Sequence, residues 1–175
     1  MDKHPKNHFN YCPRCAAKGE FNETSYSFKC HNCGFHFFLN SAAAVTALIF
    51  NEKGELLLSR RGVEPSKGEL DLPGGFVDPM ESAEHALLRE VKEELDLNPE
   101  SVTYFGSFPN EYHFSGTTVY TVDLVFKCEI SDFGPLVFRD DIIGLEFKRP
   151  SEINLAEIPF RSVQNIIKKI QQDEE

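Results

Sequence analysis

The 175-residue chain is 41% hydrophobic and 12% aromatic, with 16 Phe, a composition suited to one full core plus a small satellite rather than to disorder or a fibre. Its formal net charge of −10 argues against a general nucleic-acid binder, which would carry a basic face. No apolar run reaches the roughly 18 residues of a membrane span, and the opening Met1-Asp2-Lys3-His4-Pro5-Lys6 lacks the apolar stretch of a signal peptide, so a cytoplasmic location is expected.

The first block, residues 1–40, holds short strand-like pieces and no sizeable core of its own. Four of the five cysteines lie in it, as Cys12-Pro13-Arg14-Cys15 and Cys30-His31-Asn32-Cys33, a C-x2-C-x14-C-x2-C pattern. Two cysteines three residues apart turn both thiolates toward one ion. Two such knuckles complete a closed tetrahedral S4 site, which zinc favours and which leaves no open catalytic position. Gly34 after the second knuckle suits the left-handed turn such loops require. Four thiolates suffice, so His31 is not needed as a ligand, and His4, His8 and His36 read as surface or local packing residues. The expected role of this zinc is to fold a segment too short to stabilise itself.

The run Asn40-Ser41-Ala42-Ala43-Ala44 leads into a second block, residues 41–175. Val45–Phe50 reads as a buried strand, Asn51–Gly54 as a turn and Glu55–Arg60 as a returning strand, together a hairpin. A polar loop, 62–68, precedes Leu70-Asp71-Leu72-Pro73-Gly74-Gly75-Phe76. From Ser82 to Leu95 the pattern is helical: Ala83, Leu87, Val91 and Leu95 make one apolar face, with no Gly or Pro inside. Val102–Phe108, Thr117–Ile130 and Ile142–Lys148 read as strands, and Ile158–Ile170 as a closing helix. Cys128, alone in a strand, is expected in the core. Asp173-Glu174-Glu175 reads as a solvated tail. The order of elements is mixed α/β.

The chemistry concentrates on the first helix. Glu90, Glu93 and Glu94, three and four residues apart, share one face, where like charges weaken an isolated helix. The arrangement makes sense around a hard cation such as Mg2+, which takes oxygen ligands. A helix packed on a sheet can hold such ligands accurately.

Gly75, Glu81, Arg89, Glu90, Val91, Glu93, Glu94 and Leu97 fall in the places of G-x5-E-x7-R-E-U-x-E-E-x-G-U, where U is aliphatic. This resembles the Nudix box of the MutT-like hydrolases. One position departs: Asp96 stands where the box has its last glycine, at a helix end where a left-handed residue is often wanted and aspartate is tolerated. Leu56–Arg61 looks like the strand before the box in this family, and Leu70–Gly75 like its W-x-L-P-G-G lead-in with Leu70 in the aromatic's place. Asp140-Asp141-Ile142 with Leu145-Glu146-Phe147 looks like its downstream acid, strand and aromatic. The fold implied is the Nudix α/β/α sandwich around a mixed sheet, preceded by the zinc ribbon.

The resemblance implies an Mg2+- or Mn2+-dependent pyrophosphohydrolase, in which water attacks one phosphorus of a nucleoside diphosphate derivative. Glu90, Glu93, Glu94 and the carbonyl of Gly75 would hold the catalytic metal, and Arg89 would orient a glutamate. Glu81 would be structural. The base would be a box glutamate, Glu93 or Glu90, or a downstream acid, Asp140 or Asp141, and Asp141 is expected to be catalytic. Arg60 or Arg61 would grip a phosphate, and Tyr112, in the aromatic stretch 107–114, could stack on a base. A ribbon before such a domain resembles the NADH pyrophosphatase group, whose S-Q-P-W-P-F-P-x-S signature is absent from this Trp-free chain. ADP-ribose-like compounds and dinucleotides such as NADH both remain open as substrates, and so does a homodimer. The rival expectation is a Nudix-fold ligand sensor or RNA-related module that uses the ribbon for recognition.

Overall fold

A computed structural model describes residues 3–173; the last two residues of the acidic tail lie outside the described residues. The chain forms two compact units. The first contains the residues up to Ser41 together with Tyr112–Tyr120, a stretch that sequence pattern groups with the second block; the second contains Ala42–Glu111 and the residues from Thr121 onward.

The first unit is built on three short antiparallel strands, β1 (Glu20–Asn22), β2 (Ser27–Lys29) and β3 (His36–Phe38), paired Phe21↔Phe28 and Phe28↔Phe37. Its small core is Cys12, Phe28 and Cys30, flanked by Phe9, Phe21 and Phe35. His4 is local packing, as expected: its Nδ1 accepts from the Lys6 backbone N–H and its ring meets those of Phe21 and Tyr26. Residues 112–120 join this unit through sequence-distant contacts that no local pattern announces. The Thr118 N–H donates to the Lys3 carbonyl at 2.9 Å, and the Tyr120 ring packs edge-on to Tyr26.

In the second unit β4 (Ala42–Ile49) leads through the Asn51 turn to β5 (Leu56–Arg61). The expected hairpin is reduced to one bridge, Phe50↔Leu56, after which the strands enter different sheets. β5 is central in an antiparallel sheet between β6 (Leu70–Asp71) and β10 (Ile142–Lys148). β4 is central in a mixed sheet. It runs parallel to β9 (Thr117–Glu129) and antiparallel to β7 (Gly74–Phe76), with β8 (Ser101–Phe114) outside β9. β8 runs six residues beyond the predicted Phe108, through Pro109. An edge strand tolerates a residue with no N–H to donate.

Two helices complete the unit, α1 (Ala83–Leu95) and α2 (Arg161–Asp173). The Ser82 side chain caps α1 by accepting from the His85 N–H. Ala86, Leu87, Val91 and Leu95 of α1 pack with Val45, Ala47 and Ile49 of β4 and Leu57 of β5. Strand alternation sends Leu48, Leu56 and Leu58, all fully buried, to the other face. Burying a Leu contributes roughly 1.5–3 kcal/mol, so these leucines are a main source of the unit's stability. α2 starts at Arg161, three residues later than the periodicity suggests; Pro159 drives the residue before it out of the helical region, and Ile158 is extended at φ −105° and ψ 113°. Cys128 is buried, and burial pushes its thiol up to about 12.

Candidate active site and metal-binding groups

The approach to α1 is dictated by two glycines. β7 lies against β4 so closely that a Cβ at Gly74, whose φ is 145°, would stand 2.1 Å from the Val45 carbonyl oxygen. At Gly75 a Cβ would fall 2.5 Å from Oε1 of Glu90. The glutamate carboxylate rests directly on the Gly75 backbone, and a side chain there would have to push it aside. The Gly74 N–H donates to Oε2 of Glu94 at 3.0 Å. The loop and the helix thus meet through two carboxylates, a tie that no local periodicity reveals.

The three glutamates share a face but not an environment. Glu94 is buried at 7% exposure, the Glu90 side chain is 14% exposed and that of Glu93 is 51% exposed. Burial pushes the Glu94 carboxyl up to about 8 against the opposing Gly74 N–H, with further upward pressure from Glu90, Asp71 and Asp140. Burial likewise raises Glu90, against the lowering effect of Arg89. Carboxylates so desolvated and crowded are a donor set short of positive charge, and hard oxygen donors of this kind fit a small divalent cation.

Arg89 supplies what positive charge there is. Its Nε and Nη2 donate to the two oxygens of Glu81, each at 3.0 Å, its Nη1 to Glu90 at 2.7 Å and Glu93 at 3.1 Å, and its Nη2 also to the Phe76 carbonyl. Glu81, lowered by Arg89 and by the Asp78 N–H, is thereby fixed at the foot of the helix. The Arg89 guanidinium is held in its charged form first by Glu81 and then by Glu90. Arg89 thus meets Glu81, Glu90 and Glu93 together.

The downstream acids separate. The Arg139 N–H donates to the Glu94 carbonyl at 2.9 Å, which brings the 139–141 turn to the end of α1. Asp140 takes a left-handed φ of 54°, and its charge raises both Glu90 and Glu94. Asp141 is held by its backbone, its carbonyl accepting from the Gly62 N–H at 2.6 Å. Of the two adjacent acids, Asp140 is the one whose charge reaches the glutamate cluster. Adjacency made them equivalent in sequence.

A glycine-gated helix carrying these carboxylates agrees with comparison to known proteins. The model of the NUDIX domain matches residues 40–166. The chain belongs to the NUDIX family. It is 31% identical over 123 residues to the ADP-ribose pyrophosphatase of Methanocaldococcus jannaschii, covering 70% of this chain and 64% of that protein. It is 28% identical over 109 residues to the NAD-capped RNA hydrolase NudC of Haemophilus influenzae, covering 59% of this chain and 41% of that protein. The chain therefore spans less than two thirds of the length of these relatives. A NUDIX hydrolase structure from Nitrosomonas europaea superposes with a TM-score of 0.68 over 94% of this chain and 91% of its own, at 19% identity, and shows the shared fold. The mixed sheet with two helices is thus the Nudix fold expected from the box. Asp96, at the box's one departure, closes α1 with φ 57° and ψ 25°, the left-handed conformation expected there.

Other Nudix positions singled out from sequence are pinned rather than free. Arg60 pairs with Glu146 at 2.7 Å and donates to the Gly68 carbonyl at 2.6 Å. Arg61 pairs with Asp71 at 2.8 Å, donates to the Pro65 carbonyl, and lies 4.9 Å over the Phe160 ring. Burial still outweighs the Arg61 charge at Asp71, whose carboxyl is pushed up to about 6. Asp71 is a buried partner that sequence reasoning passed over. Tyr112 belongs to the first unit, its ring stacked with Phe114.

The four cysteines ahead of the Nudix domain converge. Their sulfurs all lie within 4.8 Å of one another, with Cys12–Cys33 and Cys15–Cys30 each at 3.6 Å. Four thiolates about 2.3 Å from a tetrahedral zinc would be roughly 3.8 Å apart, so the set fits that ion. The knuckles repeat one another: Cys12 N–H donates to Ala17 and Cys30 N–H to Phe35, while Ala16 and Gly34 N–H groups return to the Cys12 and Cys30 carbonyls. Gly34 has the expected left-handed φ of 74°; its counterpart Ala16, at 59°, carries no sequence signal for that conformation. The Ala17 N–H, followed by the Asn32 amide, holds the Cys15 thiol down to about 6. His31 is exposed beside Glu20, apart from the sulfur cluster. Among the described residues no helix is long and apolar enough to cross a membrane.

Proposed function

We propose that the chain is a divalent-metal-dependent pyrophosphohydrolase that cleaves a nucleoside diphosphate derivative, ADP-ribose-like or a dinucleotide such as NADH. The observation that carries this reading is the buried Glu94, pushed up to about 8 beside the half-buried Glu90, where both carboxylates meet the Gly74–Gly75 loop. The names of the two relatives, an ADP-ribose pyrophosphatase and an NAD-capped RNA hydrolase, agree on a pyrophosphate in the substrate.

Glu90, Glu93, Glu94 and the Gly75 carbonyl would hold Mg2+ or Mn2+. A cation there supplies Lewis-acid stabilisation of phosphate charge and acidifies the attacking water. Arg89 orients Glu90 and Glu93, and Glu81 anchors Arg89, a structural role. Of the two downstream acids, Asp140 is the base: it lies inside the turn that Arg139 ties to the Glu94 carbonyl, while Asp141 is bound through its backbone to Gly62. Arg60, the more exposed of the two arginines, is the phosphate contact; Arg61 is held by Asp71 and holds the sheet. The four cysteines bind zinc and fold the ribbon.

The test is a screen of ADP-ribose, NADH and an NAD-capped RNA with Mg2+ or Mn2+, products resolved by mass. Turnover of at least one is expected, with Glu93→Gln and Glu94→Gln each losing about 10²-fold or more, as when a charge-stabilising group is removed. Full turnover in both variants would overturn the metal-ligand assignment.

A further inference from the structure

We propose that Asp96, standing where the family's box ends in glycine, is a positioning residue that latches the 131–141 loop to the end of α1 through Arg139 and so holds Asp140 beside the glutamate cluster. The proposal rests on the functional reading above and deepens it.

Four observations carry it. First, Asp96 ends α1 at φ 57°, a conformation that glycine adopts without strain and that aspartate tolerates at some cost, which raises the question of what its side chain does. Second, that side chain is engaged: one carboxylate oxygen meets Lys92 at 2.5 Å and the other meets Nη2 of Arg139 at 3.1 Å. Third, Arg139 is tied to the same helix end by its backbone, its N–H donating to the Glu94 carbonyl at 2.9 Å. Its own carbonyl accepts from the Ile142 N–H at 3.2 Å, closing a turn with Asp140 inside it. Fourth, the two ends of the loop are held by different contacts. At its start the Ser131 hydroxyl donates to the Glu100 carboxylate and Phe133 packs on the core, edge-on to Phe147. Gly134, Pro135 and Val137 then line a cavity of about 360 Å³ together with Leu95 and Asp96, and at its far end the loop meets the end of α1 through Arg139.

The Asp96 and Arg139 side chains are 38% and 61% exposed, so their ion pair contributes little to global stability. Its effect is on where the loop rests. A family member with glycine at this position has a relaxed helix end and no carboxylate there to hold the loop.

The experiment compares Asp96→Gly, Arg139→Ala and the double variant with the wild type by amide hydrogen exchange over 131–141, thermal midpoint, and kcat and KM on the substrate found in the screen. The latch predicts faster exchange in the loop and a roughly tenfold lower kcat in each single variant, with KM little changed. The Asp96→Gly midpoint should be unchanged or higher, because the backbone strain is relieved. The double variant should lose no more than either single one, because both remove the same contact. A merely structural Asp96 would instead lower the midpoint along with kcat. Unchanged loop exchange in Asp96→Gly, or additive kcat losses in the double variant, would overturn the latch. Absence of metal-dependent turnover in the wild type would overturn the functional reading instead, and loop exchange would then decide the latch alone.

Discussion

Two clusters of potential ligands, the cysteine knuckles and the α1 glutamates, are organised on opposite principles. In the cysteine knuckles the ligand atoms are already gathered, and the groups that donate to sulfur are neutral, among them the Ala17 and Arg14 backbone N–H groups and the Asn32 amide. In the glutamate helix a cationic side chain, Arg89, spans Glu81, Glu90 and Glu93. A cluster without its own counter-charge depends on an ion to stay together. A cluster with one can stand without it and keep positions open for a substrate. The contrast matches the division between closed structural and open catalytic metal sites.

Three substitutions test that contrast. The largest effect is expected for Cys30→Ser, which removes a fully buried sulfur from the gathered set. Structural zinc contributes on the order of 10 kcal/mol to small metal-folded segments. Limited proteolysis should therefore cut the variant within residues 10–40 while the Nudix unit resists; a protease-resistant ribbon would show that zinc is dispensable there. Next is Arg89→Ala, which leaves two carboxylates of 17% and 14% side-chain exposure without their partner. A loss of about 1–3 kcal/mol is expected in urea unfolding without divalent metal, partly restored by Mg2+ taking over the charge. A stability unchanged in both conditions would break the comparison. The smallest is Ala16→Gly, which relieves a left-handed alanine and should stabilise the zinc-loaded ribbon by about 1 kcal/mol, read from its unfolding midpoint. A destabilised variant would mean that the Ala16 side chain is needed.

What could be read from the sequence was periodic or closely spaced: the C-x2-C pairs, the three glutamates, and the apolar face ending at Leu95. What escaped depends on contacts far along the chain. β6 and β7 are two and three residues long and carry Gly74 and Gly75, so they leave no alternation to detect. Residues 112–120 join the first unit through Lys3, His4 and Tyr26, beyond any local pattern. Arg60 and Arg61 take Glu146 and Asp71 as partners, and Asp140 and Asp141 are set apart by the turn that Arg139 closes. The Asp96 conformation, by contrast, was readable, because the box reserves that place for a residue that can turn left-handed.

The adjacent arginines at the end of β5 bear on how the chain finds its fold. Because successive side chains of a strand point to opposite faces, Arg60 reaches Glu146 on one face and Arg61 reaches Asp71 and the Phe160 ring on the other. Sliding β5 by a single residue would exchange the two faces and strip Asp71 of its counter-charge. Leu56, Leu57 and Leu58 are buried on both faces and do not distinguish the two alignments, so the arginine pair acts as the key that admits one alignment of the strand.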